Sequence, residues 1–185
     1  FGGSCFKKDI LNLIYICNHY GLFDVSAYWQ KVIDIDNWQR KRVSNLIVQK
    51  LFGTVSGKKI GILGFSFKAN TNDTRESPSI SISRDLLQEG AKLAFFDPQV
   101  EEGKILDEFL DNINKDDIEI ASSAIEASKG ADAVLILTEW KDFENLEWES
   151  IFFNMRKPAW IFDTRVILNK ANLVNIGFNV WSLGS

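Results

Sequence analysis

The sequence has a single histidine and only two cysteines, Cys5 and Cys17, among its 185 residues. Because it contains no cluster of Cys and His, it lacks the ligand set that a zinc site requires. The two cysteines lie on one predicted helix, where twelve residues of rise separate them by ~18 Å, too far for a disulfide bond. The sequence therefore predicts no metal site and reduced thiols, which are typical of a cytoplasmic protein.

Long apolar runs and a strong excess of one charge are also absent. No run approaches the ~18 residues of a membrane-spanning helix, and no signal peptide is visible. A net charge of −4 gives no electrostatic reason to expect nucleic acid or an anionic membrane as a partner. With 45% hydrophobic and 25% charged residues, the composition is that of a soluble globular domain.

The region after residue 56 alternates apolar and amphipathic segments. Predicted strands cover residues 59–65, 92–96, 118–120, 133–137, 159–162 and 178–181, and predicted helices cover 79–89, 102–110, 122–129 and 146–155. Several of the strands are uninterrupted apolar runs, as expected for strands buried on both faces of a parallel sheet. The pattern predicts an α/β fold with a Rossmann-like, doubly wound parallel sheet over residues 56–185.

Residues 1–55 are predicted to be helical. Apolar side chains recur at helical spacing over residues 5–20, and Gly21 is typical of a helix end. A second helix is predicted from residue 24 to about residue 51, a length of roughly 40 Å, because this stretch contains no Gly or Pro. Such a long helix indicates a connector or a subunit interface, and a simple amphipathic surface helix is the alternative.

The first nine residues read Phe-Gly-Gly-Ser-Cys-Phe-Lys-Lys-Asp. Ser4 is predicted to cap the first helix, which places Cys5 in its first turn, where unpaired amides and the helix dipole favour a thiolate. Two lysines add positive charge, and Asp9 supplies a carboxylate within one turn. A thiol beside a candidate base is the arrangement that covalent catalysis needs. The alternative is a glycine-rich helix start with a buried cysteine.

A second motif lies between the first predicted strand and the next helix. Residues 64–78 read Gly-Phe-Ser-Phe-Lys-Ala-Asn-Thr-Asn-Asp-Thr-Arg-Glu-Ser-Pro. Shorter motifs follow the same order along the chain: Tyr28-Trp-Gln-x-Val-Ile-Asp34, Asp97-Pro98, Thr138-Glu-Trp140 and Phe162-Asp-x-Arg165. Together these motifs resemble the nucleotide-sugar dehydrogenases, above all those that act on UDP-glucose. The resemblance implies that the chain is the C-terminal portion of such an enzyme and begins inside its catalytic cysteine motif.

The resemblance implies an NAD-dependent oxidation of UDP-glucose to UDP-glucuronate in two hydride transfers. Cys5 is implied as the nucleophile that forms a thiohemiacetal and then a thioester, Asp9 as the group that orients or deprotonates water, and Lys8 as a stabiliser of charge near the cofactor. UDP-N-acetylmannosamine and GDP-mannose are alternative substrates. A non-catalytic nucleotide-sugar-binding or dimerisation module is the alternative from another class. The chain alone is expected to be inactive.

Binding residues are implied by the same resemblance. The implied UDP-sugar contacts are Phe1, Gly2, Phe67, Lys68 and Arg165, and the implied NAD contacts are Cys5, Lys8 and Arg75. For Arg75 and Arg165, salt bridges within their loops are the alternatives. The long helix is implied to form a homodimer, or a higher homo-oligomer.

The sequence of the first strand–helix turn distinguishes an NAD-binding Rossmann-like domain from a UDP-sugar-binding one. It reads Gly61-Ile-Leu-Gly64 followed by Phe-Ser-Phe-Lys, without the third glycine of the dinucleotide fingerprint and with bulky residues in place of a pyrophosphate. Asp97 follows the second strand like a ribose-binding acid, but its neighbour Pro98 favours a turn. The sequence therefore predicts the UDP-sugar-binding domain rather than the NAD domain.

Overall fold

The computed structural model describes residues 1–109 and 114–184. Its helices are α1 (Ser4–His19), α2 (Phe23–Lys50), α3 (Pro78–Gln88), α4 (Glu102–Asp107), α5 (Ala124–Ser128), α6 (Trp148–Asn154) and α7 (Lys170–Ile176). Its strands are β1 (Lys59–Leu63), β2 (Lys92–Phe96), β3 (Ile118–Ile120), β4 (Ala133–Ile136), β5 (Trp160–Asp163) and β6 (Asn179–Ser182). The predicted end of the fourth helix, at residue 110, lies outside the described residues.

The six strands form one sheet in the order β3-β2-β1-β4-β5-β6, and every neighbouring pair is parallel. The strand order reverses between β1 and β4, as in a doubly wound fold. The predicted α/β Rossmann-like fold is therefore confirmed. Strand β1 ends at Leu63, earlier than predicted, because Gly64 takes a φ of 96° and turns the chain.

Side chains from both faces of the sheet form the core. On one face, Ile60, Ile62 and Phe95 pack with residues of α3 and of the second half of α2, including Val43 and Ile47. On the other face, strand residues pack against α5, α6 and α7. The C-terminal half of the long helix α2 therefore covers the sheet. The predicted domain boundary near residue 55, between the helical segment and the Rossmann-like domain, stays a prediction.

Helices α1 and α2 form an antiparallel pair ahead of the sheet. The prediction that Ser4 is the N-cap of α1 is wrong. Gly3 occupies that position with a φ of 83°, and Ser4 is the first helical residue. A side chain at Gly3 would collide with the Phe67 ring, since its Cβ would lie 3.0 Å from Cε2. Cys5 still falls in the first turn, as predicted, and Cys17 is buried on the apolar face.

None of the helices in residues 1–109 and 114–184 combines the length and the hydropathy that a bilayer crossing requires.

Candidate functional site

The carboxyl ends of β1, β4 and β5 meet where the strand order reverses. Open parallel sheets bind ligands in the crevice at this point. Three segments follow these strand ends: residues 64–77, named the β1 loop, residues 137–140 after β4, and residues 164–169 after β5. Two of the sequence-predicted cations, Lys68 and Arg165, lie in these segments.

The β1 loop approaches the end of β4 very closely. The Thr138 hydroxyl donates a hydrogen bond to the Ser66 carbonyl oxygen at 2.7 Å, and both residues are fully buried. A Cβ on Gly64 would lie 2.5 Å from the Thr138 Cβ, so only glycine fits. Glycine at this position thus allows the two loops to come into contact. The next residue, the bulky Phe65, is buried in the core. This turn does not fit a dinucleotide pyrophosphate, which a glycine-rich cradle would hold.

Asp97 lies behind the β1 loop and not in the crevice. Its residue exposure is 9%, and both carboxylate oxygens accept hydrogen bonds from protein groups, including the Gln99 and Val100 amides of its own turn. The structure therefore favours the turn interpretation of Asp97-Pro98 over a ribose-binding acid.

Phe67 joins the cysteine motif to the sheet. The ring and Cβ of Phe67 lie against Gly2 and Gly3, where any added Cβ would approach Phe67 to 3.0 Å. Lys68 is exposed beside it, with its Nζ 5.4 Å from the centre of the Phe67 ring. The structure thus brings Gly2, Phe67 and Lys68 together at one end of the sheet.

Arg165 is held from behind by the end of the neighbouring strand. Its Nε donates a hydrogen bond to the Leu137 carbonyl oxygen at 2.7 Å and lies 3.5 Å from Glu139 Oε2. Burial lowers the pKa of the Arg165 guanidinium, and the Glu139 carboxylate opposes that shift. In the part of the chain that the structure describes, no hydrogen bond engages the terminal nitrogens of Arg165. They are available for an anion.

A small cavity of about 190 Å³ adjoins Arg165, and Phe1 also lines it. An ion pair on α2, Asp36 with Arg40 at 2.9 Å, forms another wall. These two residues and Glu139 were not among the predicted site residues. Glu139 lies within the Thr-Glu-Trp motif, which was the only sequence signal for it.

Cys5 is exposed in the first turn of α1. The pKa of Arg75 is raised by its ion pair with Asp73. Lys8 and Arg75 line one shallow depression, together with Glu76. Asp9 is exposed one turn after Cys5. The structure thus brings Lys8 and Arg75, two of the implied NAD contacts, together.

The alternative given for Arg75, a salt bridge within its loop, is present. Its Nε and Nη2 contact the two carboxylate oxygens of Asp73 at 2.9 and 2.7 Å, and this guanidinium holds the pKa of Asp73 below its usual value. The Arg75 side chain is 70% exposed, so the pair leaves it accessible to a further ligand. Lys7, the first of the two lysines in the cysteine motif, forms an ion pair with Glu76 at 2.6 Å.

Comparison with known proteins identifies this arrangement. Residues 61–170 match the model described as UDP-glucose/GDP-mannose dehydrogenase family, UDP binding domain. The chain belongs to this family. The match begins inside β1 and ends at the first residue of α7, and so includes all three segments around the crevice.

Members of the UDP-glucose/GDP-mannose dehydrogenase family resemble the whole chain. UDP-glucose 6-dehydrogenase of Drosophila melanogaster is 46% identical over 192 residues, covering 100% of this chain and 40% of that protein. UDP-glucose 6-dehydrogenase 2 of Arabidopsis thaliana is 44% identical over 201 residues, covering 100% and 42%. The chain thus spans about two fifths of the length of these relatives and corresponds to their C-terminal part.

Among solved structures, a UDP-glucose dehydrogenase from Pyrobaculum islandicum superposes with a TM-score of 0.77 at 28% identity, covering 94% of this chain and 36% of that one. A UDP-D-ManNAc dehydrogenase from Pyrococcus horikoshii shares the fold, with a TM-score of 0.69 at 24% identity, covering 100% of this chain and 38% of that one.

Proposed function

We propose that the chain is the UDP-sugar-binding portion of an NAD-dependent UDP-glucose 6-dehydrogenase, which oxidises UDP-glucose to UDP-glucuronate. The observation that carries this proposal is the 44–46% identity over the whole chain with several UDP-glucose 6-dehydrogenases. GDP-mannose and UDP-N-acetylmannosamine are the alternative substrates within the family.

The UDP-sugar lies in the crevice at the end of β1, β4 and β5. Lys68 and Arg165 approach the diphosphate from two loops, and charge-assisted hydrogen bonds suit this dianion. Phe67 places an aromatic face beside them, while Phe1 and Gly2 close the site from the cysteine motif. In this proposal residues 56–185 form the UDP-sugar-binding domain, and residues 1–55 form the connector and dimerisation segment.

Cys5 is the nucleophile toward the oxidised C6 carbon. Its thiolate adds to the aldehyde carbon, so that a C–S bond forms and the carbonyl oxygen becomes a hydroxyl after taking up a proton. At the thioester level, water adds to the same carbon, the C–S bond breaks, and the carboxylate and the thiol are released. Asp9 orients or deprotonates this water, and Lys8 stabilises the developing negative charge.

NAD accepts the hydride in each oxidation when it is bound. Because the turn after β1 does not fit a dinucleotide, we assign the NAD cradle to a separate domain of the complete enzyme. Arg75, Lys8 and Cys5 contact NAD from the side of this chain in our proposal. The accessible guanidinium of Arg75 supports that assignment.

The helical pair forms a homodimer interface in our proposal. Large apolar or aromatic side chains on or beside α1 and α2 are each more than 60% exposed: Tyr15, Tyr20, Phe23, Tyr28, Ile35 and Trp38. Exposed patches of this kind mark interfaces. Sedimentation at micromolar concentration tests the assignment, and a monomeric complete enzyme would contradict it. The two unpaired cysteines support a cytoplasmic location.

The proposed activity is tested with a panel of nucleotide sugars and NAD, following NADH by absorbance. The complete enzyme is expected to turn over UDP-glucose in preference to UDP-N-acetylmannosamine and GDP-mannose. The 185-residue chain is expected to bind UDP in a calorimetric titration and to produce no NADH. Protein-dependent NADH formation by the purified chain would contradict the division of the two ligands between domains.

A further inference from the structure

Asp97 connects the end of β2 to the loop that carries Phe67 and Lys68. Its Oδ2 accepts hydrogen bonds from the Phe65 amide at 2.7 Å and the Ser66 amide at 3.1 Å. These two amides immediately precede Phe67 in the β1 loop. The carboxylate therefore holds the backbone just before the two side chains that we assign to the UDP-sugar.

The same carboxylate also contacts the segment after β4 and closes its own turn. The Trp140 indole Nε1 donates to Oδ2 at 3.2 Å, and the Gln99 and Val100 amides donate to Oδ1 at 2.9 and 3.0 Å. A carboxylate offers about four acceptor positions, and five N–H donors surround this one. Asp97 therefore has no acceptor left for a ligand hydroxyl, and any effect on binding must be indirect.

Ser66 extends the connection to Lys68. The Ser66 Oγ lies 3.3 Å from Asp97 Oδ2 and 2.9 Å from the Lys68 carbonyl oxygen, so its proton serves one of two acceptors. Thr138 donates to the Ser66 carbonyl from the other side. Several groups thus hold the backbone of residues 65–68 by hydrogen bonds. In the described part of the chain, Asp97 is the only charged group among these partners.

The negative charge of Asp97 decides the strength of this arrangement. All its recorded donors are neutral amides, a hydroxyl and an indole. Hydrogen bonds to an ionised acceptor are roughly twice as strong as neutral ones. An asparagine of the same size would direct its NH₂ group at N–H donors on one side, and the hydrogen bonds on that side would be lost.

We propose that Asp97 is a positioning residue of the UDP-sugar site, which fixes the β1 loop so that Phe67 and Lys68 meet the ligand. This inference rests on the proposed function. Preorganised ligand-binding groups avoid the entropy of ordering a loop on binding. Asp97 therefore contributes to UDP affinity without touching UDP.

The test is a calorimetric titration of UDP into the 185-residue chain and into its Asp97→Asn variant. The UDP dissociation constant is expected to rise about tenfold or more, which corresponds to ~1.4 kcal/mol per decade. Hydrogen exchange of the Phe65 and Ser66 amides is expected to accelerate in the variant. Ser66→Ala, a milder change, is expected to weaken UDP binding about threefold to tenfold, the range for one hydrogen bond.

Asp132→Asn is the matched control. Asp132 accepts a hydrogen bond from the Lys59 amide at 3.0 Å, so it anchors the opposite end of the same strand. This variant is expected to lose stability and keep the UDP dissociation constant of the unchanged chain. An equal loss of UDP affinity in Asp132→Asn would overturn the positioning role, because it would indicate general destabilisation.

Two further results distinguish a failure of the positioning role of Asp97 from a failure of the proposed function. If the unchanged chain binds UDP and both Asp97→Asn and Ser66→Ala bind it equally well, the positioning role is wrong and the proposed function stands. If the unchanged chain does not bind UDP, the proposed UDP site is wrong, and the role of Asp97 is wrong with it.

Discussion

The Nε of Arg165 lies 2.7 Å from the carbonyl oxygen of Leu137. The residue directly after β4 thus orients the guanidinium of a residue in the loop after β5. This hydrogen bond occupies the inner edge of the guanidinium. The terminal nitrogens, which suit bidentate contact with phosphate, have no such partner in the described part of the chain.

Replacing Arg165 by Ala is expected to weaken UDP-glucose binding about ten- to a hundred-fold, since one charge-assisted contact contributes roughly 1.5–3 kcal/mol. NAD binding should change much less, and Arg75→Ala should show the reverse pattern. Calorimetric titration of the complete enzyme with each ligand measures both. Arg156→Ala is the control: its Nε also donates to a backbone carbonyl, that of Gly130, but at the other end of the sheet. Loss of NAD affinity with normal UDP-glucose binding in Arg165→Ala would contradict our division of the site.

Cys5→Ser in the complete enzyme is expected to abolish formation of UDP-glucuronate, because a serine hydroxyl is weakly nucleophilic at neutral pH. Cys17→Ser should retain the chemistry and lower the free energy of unfolding, because Cys17 is buried on the apolar face of α1. Product assays and urea denaturation of both variants distinguish the two roles. Unchanged product formation in Cys5→Ser would remove Cys5 from the mechanism.

Gly64→Ala is expected to lower the free energy of unfolding by about 3 kcal/mol or more, because the new Cβ would lie 2.5 Å from the Thr138 Cβ at a φ of 96°. Gly103→Ala is the matched control in α4, where an added Cβ meets nothing within 4 Å. That change should be neutral or stabilise the helix by up to ~1 kcal/mol. Urea denaturation of both variants measures the difference, and equal stabilities would contradict the close approach of the two loops.

The Asp73–Arg75 pair predicts a specific pH dependence. The pKa of Asp73 is lowered by Arg75, so the pair stabilises the fold above the pKa of an unfolded aspartate, ~3.9, and this contribution disappears as the pH falls through the lower folded pKa. Arg75→Ala should raise the Asp73 pKa toward its ordinary value, as measured by NMR titration. The pKa of Asp34, which Lys31 lowers, is an internal control and should not move. An unchanged Asp73 pKa would show that the pair does not persist in solution.

Local patterns in the sequence predicted most of the elements. Continuous apolar runs and their spacing predicted six strands close to their observed bounds, and the absence of Gly and Pro predicted α2 within about one residue at each end. The motifs predicted the family and the position of Cys5 in the first turn of α1. These features depend on residues a few positions apart, which is why a linear reading detects them. Helix α7 was missed because only one of its residues, Leu173, is buried, which leaves a weak periodic signal.

Tertiary structure alone decided which loops meet. The reversal of strand order places Ser66 against Thr138, 72 residues later, and so determines why residue 64 must be glycine. It also places Glu139 beside Arg165. It surrounds Asp97 with amides and an indole, which excludes the role of a ribose-binding acid for this carboxylate. Sequence alone left both roles open for Asp97, a ribose-binding acid and a turn residue. The hydrogen bonds of a buried carboxylate depend on strand order and on distances in space, and the spacing of residues along one segment contains neither.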